Sequence, residues 1–120
     1  MNFSGKYLQI DSKYKIFLRE WLPNQKAEKN VFIIHGLGEH SGRYEDFAKN
    51  LTQKNIGVFC IDLIGHGKSN GKRGHIKSFE DYINAVENGI IYIRKKFCQI
   101  RSFNIFCSSF TSFMILKSFI

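Results

Sequence analysis

The sequence predicts an α/β fold, a mostly parallel sheet with an antiparallel N-terminal hairpin. Three observations lead there. Short apolar runs rich in β-branched residues alternate with segments whose apolar residues recur at helical spacing, the pattern of a parallel sheet covered on both faces. Two aromatic- and β-branched-rich runs open the chain around a short polar turn. The four apolar residues 31–34 then pass straight into His35-Gly36-Leu37-Gly38, a strand ending in a loop that offers backbone N–H groups ahead of a helix.

In chain order, residues 5–10 and 14–22 read as the hairpin, turning at Asp11-Ser12-Lys13. Pro23-Asn24 ends it, and a polar stretch leads to the strand at 31–34. Residues 43–54 read as a helix with Phe47, Ala48 and Leu51 on one face. Asn55-Ile56-Gly57 breaks it, and residues 58–61 form the next buried strand. Residues 62–77 are a loop with glycine at 65, 67, 71 and 74. Ser78 and Asp81 form a capping-box-like pair, the serine accepting from an N–H left over at the helix start. Phe79, Tyr82, Ile83, Val86, Ile90, Ile93 and Phe97 follow as a core stripe, and Arg94, Lys95 and Lys96 suit the negative end of the helix dipole. Residues 102–107 form a short apolar strand. The tail 103–120 reads as a buried strand and helix, because Ser, Thr and Lys117 interrupt it and it falls short of the ~20 apolar residues of a membrane span.

With 120 residues there is room for one domain, and 43% hydrophobic content fits a packed core. The net charge of +8 comes with lysines scattered along the chain, so it is not read as nucleic-acid binding. Cys60, Cys98 and Cys107 are an odd number without metal-ligand spacing, which points to reduced thiols in a cytoplasmic protein. The start of the chain carries no apolar secretory core. The glycine-rich loop lacks the strand-to-helix context of a dinucleotide fingerprint, so no cofactor or metal is expected.

The blocks HGLGEHSGRY at 35–44 and DLIGHGKSNGKRGH at 62–75, with Ser78, Phe79, Asp81 and Tyr82 behind them, carry a resemblance. In type, order and spacing they resemble the monoacylglycerol lipase and lysophospholipase group of α/β-hydrolases, often filed with the serine aminopeptidase-like hydrolases. The motifs lie within 31–82 and the likeness extends over roughly residues 5–100. Members of that group are well over twice as long. The resemblance therefore implies that residues 1–120 are a partial domain, the N-terminal half of an α/β-hydrolase fold.

It also implies a serine nucleophile on a strand-to-helix elbow, two N–H donors for the oxyanion, and an acid and a histidine later in the chain. Aligned on the strand, Cys107-Ser108-Ser109-Phe110-Thr111 takes the elbow position. Ser109 falls on the nucleophile, and the N–H groups of Leu37 and Phe110 fall on the oxyanion donors. Gly36, Glu39 and Arg43 match substrate-contacting positions. Glu39 and Arg43 either face the polar head group of an acylglycerol or form a surface ion pair. Tyr44 reads as packing, and Asp62 and His66 as structural. The elbow is degenerate: Cys107 and Thr111 stand where the family has glycine, and Ser108 where it has histidine. No Asp, Glu or His follows Ser109 in these residues. The chain alone is therefore not expected to assemble the triad.

Two functions remain open. In one, the chain supplies the oxyanion loop and Ser109 for hydrolysis of a lipid ester, and a separately encoded C-terminal half supplies the acid and histidine. In the other, it is an inactive remnant, or a fragment that binds protein or lipid. Either way the strand at 102–107 is expected at an apolar sheet edge that pairs with a partner or a second copy. The expected place is the cytoplasm, peripheral to a membrane but not spanning it.

Overall fold

A computed structural model describes residues 1–97 and 104–117, with residues 110–113 known by backbone alone. Strands β1 (Asn2–Gln9) and β2 (Lys15–Leu22) form the hairpin, and β3 (Lys29–Ile34) leads into a 3₁₀ turn at Ser41–Tyr44. Helix α1 (Glu45–Gln53), strand β4 (Ile56–Ile61), helix α2 (Phe79–Lys96), strand β5 (Asn104–Cys107) and helix α3 (Phe110–Lys117) follow. The sheet order is β1-β2-β4-β3-β5. Pairing is antiparallel from β1 to β2 and from β2 to β4, and parallel from β4 to β3 and from β3 to β5. The expected α/β fold with its antiparallel hairpin is present, and β5 lies at an edge.

The period of two along the strands sorts the core into two layers. Phe32, Ile34, Phe59 and Ile61 face one cluster with Tyr82, Ala85, Val86 and Ile93 of α2 and Ile115 of α3. Ile33, Val58 and Cys60 face the other, with Trp21 of β2 and Ala48 of α1. Gly89 lets α2 lie close to β4, since a methyl group there would stand 3.1 Å from Ile61 Cγ2.

Several expected boundaries shift. The span expected as one helix at 43–54 divides, its start forming the 3₁₀ turn and α1 beginning at Glu45. Strand β4 begins two residues early, because Asn55 takes a left-handed conformation (φ 63°) after the helix and frees Ile56 and Gly57 to pair with Lys29 and Asn30. The Ser78 hydroxyl accepts from the Glu80 N–H at 3.2 Å, and the acidic residues of that turn are Glu80 and Asp81. Phe47 and Phe79, expected to be buried, are exposed because each stands at the margin of its helix's apolar face. Strand β5 starts at Asn104, and the first residues of the expected strand, with Cys98, lie outside the described residues. Among the described residues no helix is long and apolar enough to cross a membrane.

At the C-terminal end of α2, Lys96 Nζ lies 3.2 Å from a carboxylate oxygen of fully buried Glu20 on β2. Ser4 of β1 donates to the same carboxylate at 3.1 Å. The helix is thus tied to the hairpin across the sheet.

Candidate active site

Strands β3, β4 and β5 run in parallel, so their carboxyl ends share one edge of the sheet, where ligands of open α/β sheets bind. The loop after β3 is a tight turn: the Glu39 N–H donates to the Gly36 carbonyl at 3.1 Å, with Gly38 at φ 79° in its third position. That φ requires a residue without Cβ. The Glu39 carboxylate closes the turn from the other side by accepting from the Gly36 N–H at 2.9 Å. The Leu37 N–H makes no hydrogen bond among the described residues, and its side chain is 56% exposed.

His35 anchors the base of this turn. It is fully buried, and the Leu63 N–H donates to its Nε2 at 2.9 Å. An accepting Nε2 leaves the proton on Nδ1, which then donates to the Gly36 carbonyl 2.8 Å away. Burial pushes the imidazole down from 6.5 to about 4. It is therefore a neutral strut between the loops after β3 and β4, with both nitrogens engaged.

Asp62 ties the same loops together further out. Its buried carboxylate accepts from the Ser41 N–H at 2.6 Å and from the Lys68 N–H at 2.9 Å. His66 is also buried; its Nδ1 lies 3.0 Å from the Ile64 carbonyl, and its Nε2 has no hydrogen-bond partner among the described residues.

The turn after β5 closes over this loop. Ser108 N–H donates to the Ile34 carbonyl at 3.4 Å, and α3 starts at Phe110, so Ser109 stands between strand and helix. A methyl group added to Gly36 would lie 2.6 Å from Ser109 Oγ and 2.7 Å from Glu39 Oε2. Gly36, Glu39 and Ser109 therefore meet at one point. The Phe110 N–H belongs to the first turn of α3, where N–H groups lack intrahelical acceptors. Among the described residues Asn55 is the non-glycine with positive φ. The turn at Ser109 is accordingly made without a left-handed residue.

Two partners of Glu39 escaped the sequence reading. Ser108 Oγ donates to Glu39 Oε2 at 3.0 Å, and the Tyr44 hydroxyl donates to Oε1 at 3.0 Å. Tyr44 was expected only to pack. Burial alone would push the Glu39 carboxyl up, but the hydrogen bonds from Gly36 N–H, Ser108 and Tyr44 outweigh it and hold the group below its ordinary value. Arg43 is exposed, and among the described residues its side chain pairs with nothing, so it does not form the ion pair with Glu39 that was one of the two expectations. A hydroxyl at position 108, where the resembling family has histidine, was the available signal for the first partner.

The family model described as serine aminopeptidase, S33, matches residues 25–117. A monoglyceride lipase homolog of monkeypox virus is 40% identical over 88 residues, which cover 73% of this chain and 32% of that protein. Human monoglyceride lipase is 34% identical over 97 residues, covering 81% of this chain and 29% of that protein. The chain thus spans about a third of the length of these relatives. A soluble variant of monoglyceride lipase from Saccharomyces cerevisiae, solved with a substrate analog, superposes with a TM-score of 0.72 at 18% identity, covering 89% of this chain and 34% of that one.

Proposed function

The chain belongs to the serine aminopeptidase S33 family, as an α/β-hydrolase of the monoglyceride lipase type, and from that premise we propose that it carries the oxyanion loop and nucleophile serine of a lipid ester hydrolase. The substrates are monoacylglycerol or lysophospholipid esters. In this reading Ser109 Oγ attacks the ester carbonyl, and the oxyanion is held by the Leu37 and Phe110 N–H groups. Gly36 shapes the floor, while Glu39 and Arg43 meet the polar head group. The alcohol leaves as an acyl-serine forms, and water then releases the fatty acid. No acid or histidine follows Ser109 in these residues, so the proton acceptor comes from a C-terminal portion outside them that pairs along the edge of β5. The residues act in the cytoplasm, peripheral to a membrane.

The observation that carries the reading is the seating of Ser109 Oγ directly over Gly36 of the loop. A fluorophosphonate probe tests it, applied to the 120-residue chain alone and after co-expression with the C-terminal two-thirds of a matched relative. Negligible labelling alone and labelling of Ser109 in the co-expressed pair support the proposal. Absence of labelling in a pair that demonstrably associates would overturn it.

One observation favours a second reading, a fragment that binds protein or lipid without chemistry. The turn at Ser109 lacks the strain that exposes a nucleophile, and Glu39 is already occupied by three donors. Lipid binding without labelling in the associated pair is the outcome that reading expects.

A further inference from the structure

The lysines scattered along the sequence are gathered by the fold. Strand β2 runs antiparallel to β4, so the β1–β2 turn reaches the carboxyl-end edge of the sheet and docks on the loop after β4. Asn70 makes the joint: its N–H donates to the Lys15 carbonyl at 3.2 Å, its Oδ1 accepts from the Lys15 N–H at 2.9 Å, and its Nδ2 donates to the Lys13 carbonyl at 3.1 Å. Lys13, Lys15, Lys68, Lys72, Arg73 and Lys77 are thereby brought to one rim, all exposed. They are six of the 18 lysines and arginines.

The charge on this rim is offset only in part among the described residues. Among the described residues the ion pair is Lys96 with Glu20, at the far end of α2. Asp11 is on the rim and offsets one of the six charges; its carboxylate accepts from the N–H groups of Lys13 and Tyr14 at 2.8 and 2.7 Å. Asp62 is buried, and Glu80 and Asp81 lie beyond Lys77 in the first turn of α2. Arg73 braces the loop by donating to the carbonyls of Gly67, Ser69 and Gly71. The ammonium groups of Lys13, Lys15 and Lys68 stand 4.8–5.0 Å from the ring centres of Tyr14, Tyr7 and Phe17, so aromatic rings support their stems. Lys13, Tyr14, Gly71, Lys72, His75 and Lys77 line a cavity of about 320 Å³.

The geometry points to a docking site for an anionic phospholipid surface, with the rim meeting head-group phosphates and the carboxyl-end edge of the sheet turned toward the lipid. Charge complementarity identifies the occupant as polyanionic. The side chain of Leu37, 56% exposed on the same edge, favours a bilayer over a nucleic acid, because a bilayer interface takes up apolar groups beside basic ones. The site holds whether or not Ser109 reacts.

Flotation of the 120-residue chain with vesicles tests it. Binding is expected to vesicles containing phosphatidylserine, to fall with added salt, and to be absent with phosphatidylcholine alone. The variant Lys13→Gln/Lys72→Gln/Lys77→Gln should bind roughly a hundredfold more weakly, at about fivefold per lysine. The matched variant Lys26→Gln/Lys29→Gln/Lys54→Gln, at the opposite end of the strands, should bind nearly as well as the unaltered chain. Circular dichroism checks that both stay folded. Equal losses in the two variants would reduce the effect to net charge and overturn the proposal, as would unchanged binding in the rim variant. Preference for a short DNA duplex over vesicles at equal phosphate concentration would overturn it in favour of nucleic acid.

Discussion

The loop after β3 and the turn after β5 face each other across Gly36, yet they are specified very differently. The first has glycine where φ is positive, a buried histidine strut beneath it, and a carboxylate that closes it. The second, at residues 107–111, contains no glycine, and it is held to the loop through Ser108. A loop built from satisfied backbone groups keeps its shape by itself. A turn without glycine, tied by a side chain, takes its position from its neighbour. The rigid part of the candidate site is thus the loop after β3, and the turn after β5 is the dependent part.

The largest way to test that contrast is to remove the strut. His35→Ala leaves the buried Leu63 N–H without its partner, removes one of the two donors to the Gly36 carbonyl and opens a cavity, at a cost of about 3–5 kcal/mol. Urea unfolding measures it; a loss below about 1 kcal/mol would show that the loop does not depend on His35. The same residue gives the fold a pH signature. Its folded value near 4 lies below the ordinary 6.5, so between those values the unfolded chain binds the extra proton. The stabilisation is complete above pH 6.5 and is lost as pH falls toward 4, to an extent of about 3 kcal/mol. Glu39, also depressed, acts only below its ordinary 4.5. His35→Asn should therefore flatten the stability profile between pH 6.5 and 4.5. An unchanged slope there would mean that another group controls acid unfolding.

Gly36→Ala probes the contact between the two regions. The added methyl would stand 2.6 Å from Ser109 Oγ, 2.7 Å from Glu39 Oε2 and 2.8 Å from Ser109 Cβ, so the turn, the Glu39 side chain or both must give way. If the turn after β5 is the dependent part, it moves and the loss is about 1–2 kcal/mol. Amide exchange should then rise at 108–110 while the Gly36 and Glu39 amides stay protected. Equal loss of protection on both sides would remove the distinction.

The sequence reveals the two regions to different depths. The strands, their two-sided burial and the hairpin follow from continuous runs of β-branched and aromatic residues, and the loop after β3 follows from glycines placed where a strand ends. Phe47 and Phe79 were misplaced because helical spacing defines a face without showing where the neighbouring layer stops. The bond between Ser108 and Glu39 joins residues 69 positions apart; the hydroxyl at position 108 marks a donor, but nothing local to it names the acceptor. The basic rim was hidden for the same reason. Lys13 and Lys72 become neighbours only because β2 pairs antiparallel with β4.

The smallest change is the most discriminating. Ser108→Ala deletes one of three donors to the Glu39 carboxylate and leaves Gly36 N–H and Tyr44 in place. Ser108 is exposed, so water can replace its hydroxyl and the stability loss should be about 0.5 kcal/mol. Its structural effect should nevertheless be one-sided. The loop keeps its own turn and strut, whereas the segment at 108–110 loses its hydroxyl tie to Glu39. Exchange should therefore quicken after β5 with no change after β3. Quickening on both sides would mean that Ser108 braces the loop as well, and the turn after β5 could not then be called its dependent.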